Sequence, residues 1–192
     1  AQVPRAADLH AVAEHRESGD PGPRILHGPR GGPAQGRHPL GPIEPHLQEL
    51  DQDDSALLQH LTTPATPRLG IRFERLWSYW LQHNGRYGLL AANLQVKQDD
   101  KTRWEFDFIV RDQHADEIEH WELAIKFYLG IPPLHHANHW FGPNLQDRLD
   151  LKFHHLVERQ LPLSQIHAGQ QVCAERGWTI ARRRLISKGR LY

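Results

Sequence analysis

Two acidic side chains and a lysine lie on adjacent predicted strands, in a pattern that suits metal-dependent hydrolysis. In the string IEHWELAIKFYL, apolar and polar side chains alternate, which places Glu122 and Lys126 on the same face of a strand. In the preceding string WEFDFIV, Glu105 and Asp107 alternate with apolar side chains in the same way. Carboxylates bind hard cations, and an amine beside such a cation can hold a water molecule.

A polar turn near His114 separates the two strings, so we expect an antiparallel hairpin in which the numbers of facing residues sum to about 229. Asp107 then faces Glu122, with their Cβ atoms about 5 Å apart, and Glu105 faces Ala124. Two carboxylates this close repel each other and have raised pKa values unless a cation lies between them. Mg²⁺ or Mn²⁺ is the expected cation, and hydrolysis of a phosphodiester bond is the chemistry that such a site would support.

The chain around this hairpin contains a helix, three strands, a second helix and a final strand. An amphipathic helix is predicted from Leu69 to His83, and a strand from Leu89 to Lys97 precedes the hairpin. A second helix is predicted from about residue 145 to 160, before Pro162. A loop that contains Cys173 then leads to a C-terminal strand. This order of elements predicts an α/β layer rather than a helix bundle or a β-sandwich.

The N-terminal part of the chain has a different composition. Residues 1–45 are dominated by Gly and Pro toward their C-terminal end, which predicts a disordered segment. Leucines at helical spacing predict a helical extension over residues 46–67. Residues 68–192 are expected to form the domain that carries the acidic hairpin.

Composition limits the functional classes only weakly. The 23 basic and 23 acidic side chains balance, so net charge neither indicates nor excludes a nucleic-acid partner. A single cysteine, Cys173, cannot form an internal disulfide, which favours a reducing compartment and makes the cytoplasm the expected location. No apolar run approaches the ~20 residues needed to span a bilayer, so no membrane association is expected. The sequence contains no methionine, which suggests a processed or partial chain.

The acidic pair, the lysine and the order αβββαβ resemble the PD-(D/E)XK nuclease superfamily, whose members share the restriction-endonuclease-like core. More narrowly, several strings between about residues 68 and 192 resemble a bacterial family, domain of unknown function 1853, that has been placed in this superfamily; they are RLGIRFERLW, LLAANLQV, EFDFIVRD, HWELAIKFYLG and GPNLQDRLDLK. Members of that family continue past the equivalent of Tyr192, so this chain is expected to be truncated at its C-terminus.

The resemblance implies a set of site residues and a fold. Asp107 and Glu122 would be metal ligands, Lys126 would be the catalytic lysine, and Glu74 on the first helix would be an additional metal ligand. The implied fold is a restriction-endonuclease-like core with a mixed sheet flanked by helices. The implied activity is Mg²⁺-dependent hydrolysis of DNA by an endonuclease or an exonuclease.

One position departs from the superfamily pattern. The second carboxylate should stand two residues before the lysine, and Ala124 occupies that place. Either Glu122 serves as a displaced ligand on the same strand face, or Glu105 moves into the vacated space.

The basic side chains allow two interpretations. Lys152, with Gln160 on the same predicted helix, could reach the site and contact DNA. The C-terminal cluster Arg182, Arg183 and Arg184 could contact phosphates, but it also fits a solvated strand edge.

Two other interpretations stay open for the chain as a whole. The polar face of the hairpin could be a solvated surface held by cross-strand ion pairs, which contribute at most ~1 kcal/mol. The domain could also be a catalytically inactive nuclease-fold module that binds nucleic acid or protein.

Overall fold

The computed structural model describes residues 12–16, 24–26 and 44–192, with side chains from residue 46 onward. Within these ranges the chain forms five α-helices and seven strands. In chain order they are β1 (Val12–Arg16), β2 (Arg24–Leu26), α1 (Glu44–Gln52), α2 (Ser55–Thr62), α3 (Leu69–His83), β3 (Tyr87–Gln98), β4 (Lys101–Asp112), β5 (Glu117–Gly130), β6 (Trp140–Phe141), α4 (Leu149–His155), α5 (His167–Ala174) and β7 (Ile180–Leu191). The boundaries of α3 agree with the sequence prediction.

The strands form a mixed sheet in the order β2-β1-β7-β5-β4-β3, and β6 pairs with the end of β5. The central pair β5 and β7 is parallel, and the other pairs are antiparallel. A helical stretch connects β5 to β7, as a parallel crossover requires. The predicted α/β class, with a mixed sheet flanked by helices, is confirmed.

Helices cover both faces of the central sheet. Trp121 and Phe108, a facing pair on β5 and β4, pack against Trp77 and other residues of α3. Ile109, the next residue along β4, belongs to a separate core cluster that includes Cys173 of α5. Because successive side chains of a strand point to opposite faces, α3 and α5 lie on opposite sides of the sheet. The core therefore has two apolar layers with the sheet between them.

The helical crossover differs from the single helix predicted for residues 145–160. Helix α4 begins only at Leu149, a π-helical turn follows at Leu156–Gln160, and a 3-10 turn continues through Pro162 to Gln165. Cys173 lies in α5, so the prediction that it lies in a loop is wrong. Helix α5 has only eight residues, and the formation of so short a helix depends on tertiary packing, which a local pattern does not reveal.

The contact between α5 and the preceding turn depends on Gly169. A Cβ atom at this position would overlap the backbone carbonyl of Leu163. Gly169→Ala is therefore expected to destabilise the fold by about 1–3 kcal/mol, as overpacking in a rigid core does. The matched control is Gly70→Ala in α3, where nothing lies within 4 Å of the added atom. That change should raise stability by about 0.5–1 kcal/mol through helix propensity. Urea denaturation measures both, and equal effects would contradict the packing argument.

The N-terminal segment departs from its prediction where the structure describes it. Strands β1 and β2 lie within residues 1–45, for which we predicted disorder, and β1 pairs in antiparallel fashion with β7. Strand β2 lies at the edge of the sheet and pairs with β1, so the backbone partners of both strands come from tertiary pairing and not from a local signal. The rest of residues 1–43 lies outside the described residues. The predicted extension at residues 46–67 holds the end of α1 and all of α2.

No helix in the described part of the chain is long and apolar enough to cross a membrane.

Candidate active site

Asp107 and Glu122 lie where strands β4 and β5 separate. The predicted register is confirmed where the strands pair: Phe108 faces Trp121 and Val110 faces Glu119. This ladder ends at Phe108 and Trp121, one step before Asp107 and Glu122. Beyond that point the backbone N–H of Leu123 donates instead to Oδ2 of Asp107, at 2.7 Å. The carboxylate of Asp107 thus takes the place of a backbone partner at the opening of the sheet.

The backbone is irregular at the same level of the sheet. We predicted that Phe106 and Phe108 share one face, but Phe106 packs in the cluster of α5 and Phe108 in the cluster of α3. On the neighbouring strand, Asn93 has a positive φ of 51°, which Asn tolerates better than most residues. Asn93 lies between Ala92 and Leu94, which face Phe108 and Phe106 respectively. The alternation of side chains is therefore interrupted at Asp107, a feature that periodicity alone does not predict.

Glu122 is fully buried and held at both carboxylate oxygens. Its Oε1 lies 2.6 Å from Nε2 of His120, and its Oε2 accepts a hydrogen bond from Nε2 of Gln160 at 3.0 Å. Gln160 is the last residue of the π-helical turn, and such turns are frequent at functional sites. Glu122 has an exposed fraction of 0%. The solvated hairpin face allowed by the sequence is therefore wrong for this side chain.

Burial sets the protonation of the acidic pair. Burial and then the charge of Glu122 raise the pKa of Asp107 to about 7, although the hydrogen bond from Leu123 opposes the shift. Burial raises the pKa of Glu122 to about 8. Burial likewise lowers the pKa of His120 to about 3, so its imidazole is uncharged at neutral pH. Two acids whose ionised forms are disfavoured in this way are stabilised as carboxylates when a cation binds between them.

Two further acids lie near this pair. Burial, followed by the charge of Asp107, raises the pKa of Glu74 on α3, and its carboxylate accepts a hydrogen bond from Asn93 at 3.5 Å. Glu105 is exposed, and its charge contributes to the raised pKa values of Glu74, Asp107 and Glu122. All four predicted metal ligands therefore lie in one region of the molecule.

Lys152 lies near the acidic pair, and Lys126 lies near Lys152. Nζ of Lys126 lies 2.5 Å from Oδ2 of Asp147, in the loop before α4. Nζ of Lys152 on α4 donates to Oε1 of Gln160 at 3.3 Å. Burial and repulsion by Lys126 lower the pKa of Lys152, whereas the charges of Asp107 and Glu122 oppose that shift. Lys152 is thus linked to Glu122 through the amide of Gln160.

Ala124 leaves no vacated space for another carboxylate. It is buried and packs against Leu156, Leu161 and Leu185. The suggestion that Glu105 moves into this space is wrong, because leucine side chains fill it and β4 has already separated from β5. Glu122 is the acid on this strand that lies beside Asp107.

The arginines predicted to contact DNA are buried. Arg182, Arg183 and Arg184 are each less than 9% exposed. Oε2 of Glu119 accepts from Nε of Arg184 at 2.5 Å, and Oε1 accepts from Nη1 of Arg182 at 3.1 Å. Both interpretations of this cluster, phosphate contact and solvated edge, are wrong for these residues. Parallel pairing of β7 with β5 places them inside the sheet.

The donor set suits a cation that keeps part of its water shell. Within residues 46–192, no group of three or more His, Cys, Asp or Glu side chains is arranged to hold a metal ion. Asp107 and Glu122 supply two carboxylates, and Mg²⁺ is commonly bound by one or two carboxylates together with waters and phosphate oxygens. The pair therefore fits Mg²⁺ or Mn²⁺ as a two-carboxylate site.

Sequence reasoning did not assign roles to two residues of this site. His120 had a usable signal, because it stands two residues before Glu122 on the same strand face. Asp147 had none, since it reaches Lys126 only through closure of a loop.

Fold and site together define an α/β protein with a mixed sheet flanked by helices and a pair of carboxyl groups, one buried and one half-buried, at a strand opening. The chain belongs to the family described as Domain of unknown function (DUF1853), whose model matches residues 22–192. The match begins well before residue 68, where we expected the resemblance to start. Comparison with curated proteins and with solved structures found no match.

Proposed function

We propose that this chain is a metal-dependent nuclease-like protein that hydrolyses phosphodiester bonds in DNA, built on a restriction-endonuclease-like core. The observation that carries the proposal is the meeting of the half-buried Asp107 with the fully buried Glu122 at the strand opening, both with raised pKa values and with Lys152 nearby. Two neighbouring acids with raised pKa values are typical of functional sites, and a bound cation would stabilise their ionised forms. The cytoplasm is the proposed location, because a chain with a single cysteine cannot form an internal disulfide and suits a reducing compartment.

Each side chain has a role in this proposal. Asp107 and Glu122 would hold Mg²⁺ or Mn²⁺, with Glu74 and Glu105 supporting from the same region. When bound, the cation would polarise the phosphoryl oxygen and lower the pKa of bound water. His120 and Gln160 would orient the carboxylate of Glu122 through their hydrogen bonds, as the hydrogen-bond partners of metal ligands do.

The lysines would act on the water and on the substrate. Lys126 would position the attacking water. Lys152 would contact a phosphate of the DNA. Lys152 is linked to Glu122 through Gln160, so a phosphate bound to Lys152 would lie close to Glu122. Arg182, Arg183 and Arg184 are no longer proposed to contact DNA, because they are buried in the sheet.

Calorimetric titration with Mn²⁺ and cleavage of plasmid and branched DNA test the proposal. The chain should bind Mn²⁺ and cut DNA only when the metal is present. Lys126→Gln should retain metal binding and lose cleavage by about 100-fold or more, since it removes a group that acts on the water. Absence of both metal binding and cleavage in the unsubstituted chain would refute the proposal.

A second candidate is a catalytically inactive nuclease-fold module that binds nucleic acid or protein. The packing of Ala124 against leucines favours it, because the position where the superfamily pattern expects a ligand is committed to the core. This candidate predicts binding of a DNA duplex without Mn²⁺ binding or cleavage. The same titration therefore separates the two.

A further inference from the structure

The loop before α4 brings Asp147 onto Lys126. Oδ2 of Asp147 and Nζ of Lys126 lie 2.5 Å apart, and the two side chains are 24% and 37% exposed. The pair is therefore partly shielded from water, unlike the fully exposed ion pairs that contribute little. Lys126 has no comparable contact with Asp107 or Glu122 among the described hydrogen bonds.

The loop is shaped to present this carboxylate. The backbone N–H of Gly142 donates to the carbonyl of Asp147 at 2.6 Å, and the N–H of Asp147 donates to Oδ1 of Asn144 at 3.1 Å. A Cβ at Gly142 would lie 2.9 Å from that of Asp147, so the closure requires glycine. Leu145, at the tip, has a positive φ of 59°.

The loop is also anchored to the strand that carries Lys126. Phe141 pairs with Leu129 of β5 on one side of the loop and with Arg148 on the other. Asp147, one residue before Arg148, is thus tied through Phe141 to the strand that carries Lys126. A loop attached in this way restricts where the ammonium can lie.

The surrounding charges show what the pairing achieves. The charge of Lys126 lowers the pKa of Lys152, and that of Asp147 opposes the shift, so all three groups lie close together. Asp147 offsets the repulsion between the two lysines. A neutral side chain at position 147 would leave that repulsion unbalanced.

We propose that Asp147 is a positioning residue, which holds the ammonium of Lys126 beside the acidic site so that Lys126 acts on the attacking water. The loop of residues 142–148 is then part of the hydrolytic site. This inference rests on the proposed function for its catalytic consequence, but the placement of Lys126 can be measured without any activity.

The placement is tested by labelling the purified chain with an amine-reactive ester and measuring modification of Lys126 by mass spectrometry. Asp147→Asn should raise the labelling rate of Lys126 several-fold, and Asp147→Glu should largely restore the original rate. The matched control is Asp150→Asn, which breaks the Arg148–Asp150 pair of similar exposure in the same region. It should leave Lys126 unchanged. Thermal melting confirms that each variant is folded. Unchanged labelling in Asp147→Asn would overturn the inference.

The catalytic consequence is tested by a double-mutant cycle on Mn²⁺-dependent DNA cleavage. Asp147→Asn should lower kcat by about 10- to 100-fold, as misplacement of a catalytic group does, and leave KM and Mn²⁺ affinity nearly unchanged. In the Lys126→Gln background the same change should have little further effect, because Asp147 acts through Lys126. Additive losses would overturn the positioning role.

The two proposals fail in different ways. If the unsubstituted chain neither binds Mn²⁺ nor cuts DNA, the proposed function is refuted, and the labelling result alone decides whether Asp147 places Lys126. If it cuts DNA and Asp147→Asn cuts equally well, the proposed function stands and the inference is refuted.

Discussion

Asp107→Asn is expected to lower the affinity for Mn²⁺ by at least about 100-fold and to reduce DNA cleavage to background. Loss of a side chain that only hydrogen-bonds to a metal ligand already lowers metal affinity or activity by 10- to 100-fold. Loss of the ligand itself should lower them at least as much. Asn retains an oxygen that can accept the hydrogen bond from Leu123, so the strand opening should persist. Calorimetry with Mn²⁺ and a cleavage assay on the same preparations measure the two effects.

The matched control for this change is Glu105→Gln on the same strand. Glu105 is exposed and acts on the site through its charge, so we expect its loss to lower Mn²⁺ affinity by no more than about tenfold. If the Asp107 variant binds Mn²⁺ as the unsubstituted chain does, Asp107 is not a metal ligand.

The same variant has an expected effect on stability without metal. The pKa of Asp107 is raised from 3.8 to about 7 in the folded chain, so the folded state binds this proton more tightly than the unfolded state. Its contribution to stability is complete below pH ~4 and is lost as the pH rises to about 7. Asp107→Asn removes this titration. Between pH 4 and pH 8, the melting temperature of the variant should therefore fall less than the melting temperature of the unsubstituted chain. Parallel pH profiles for the two chains would contradict this.

Glu119→Ala is expected to destabilise the fold by about 3–5 kcal/mol. Glu119 is fully buried and accepts hydrogen bonds from Arg182, Arg184 and the indole of Trp121. Its removal takes the buried carboxylate away from Arg184 and from Arg182, which keeps its contact with Glu117 at 2.9 Å, and breaking a buried ion pair in this way is strongly destabilising. Urea denaturation, with the m-value checked for two-state behaviour, measures the loss.

A surface ion pair provides the matched control. Arg111 and Asp116 lie 2.6 Å apart, with side chains that are 42% and 83% exposed. Asp116→Asn should change stability by less than about 1 kcal/mol, because water screens the pair. Asn also tolerates the positive φ of 51° at this position. A similar loss in both variants would show that burial does not govern the Glu119 cluster.

This cluster explains why the basic C-terminal string was misinterpreted. A run of arginines without acids predicts an exposed or phosphate-binding surface when only neighbours in sequence are considered. The compensating carboxylate, Glu119, lies about sixty residues earlier and meets Arg182 and Arg184 only because β7 pairs in parallel with β5. Strand pairing therefore decides which acidic side chains neutralise the buried arginines, and the sequence near the arginines does not show it.

The elements nearest the site were predictable because their signals are local. Alternation with period two defined β4 and β5, helical spacing defined α3, and the polar turn set the register that places Phe108 opposite Trp121. The order of helices and strands was sufficient to predict an α/β layer, whereas the mixed sheet was implied by the family resemblance.

The sequence by itself therefore determined the fold class, the register of the hairpin and the meeting of Asp107 with Glu122, because these depend on periodicity and a short turn. Only the tertiary structure decided that Glu122 is buried, that Asp107 is half-buried and that Ala124 is packed. It also decided that Gln160 and His120 hold Glu122, and that Asp147 holds Lys126. These features depend on helices packed across the sheet and on loop closure between residues far apart in the chain, and local patterning carries no record of such contacts.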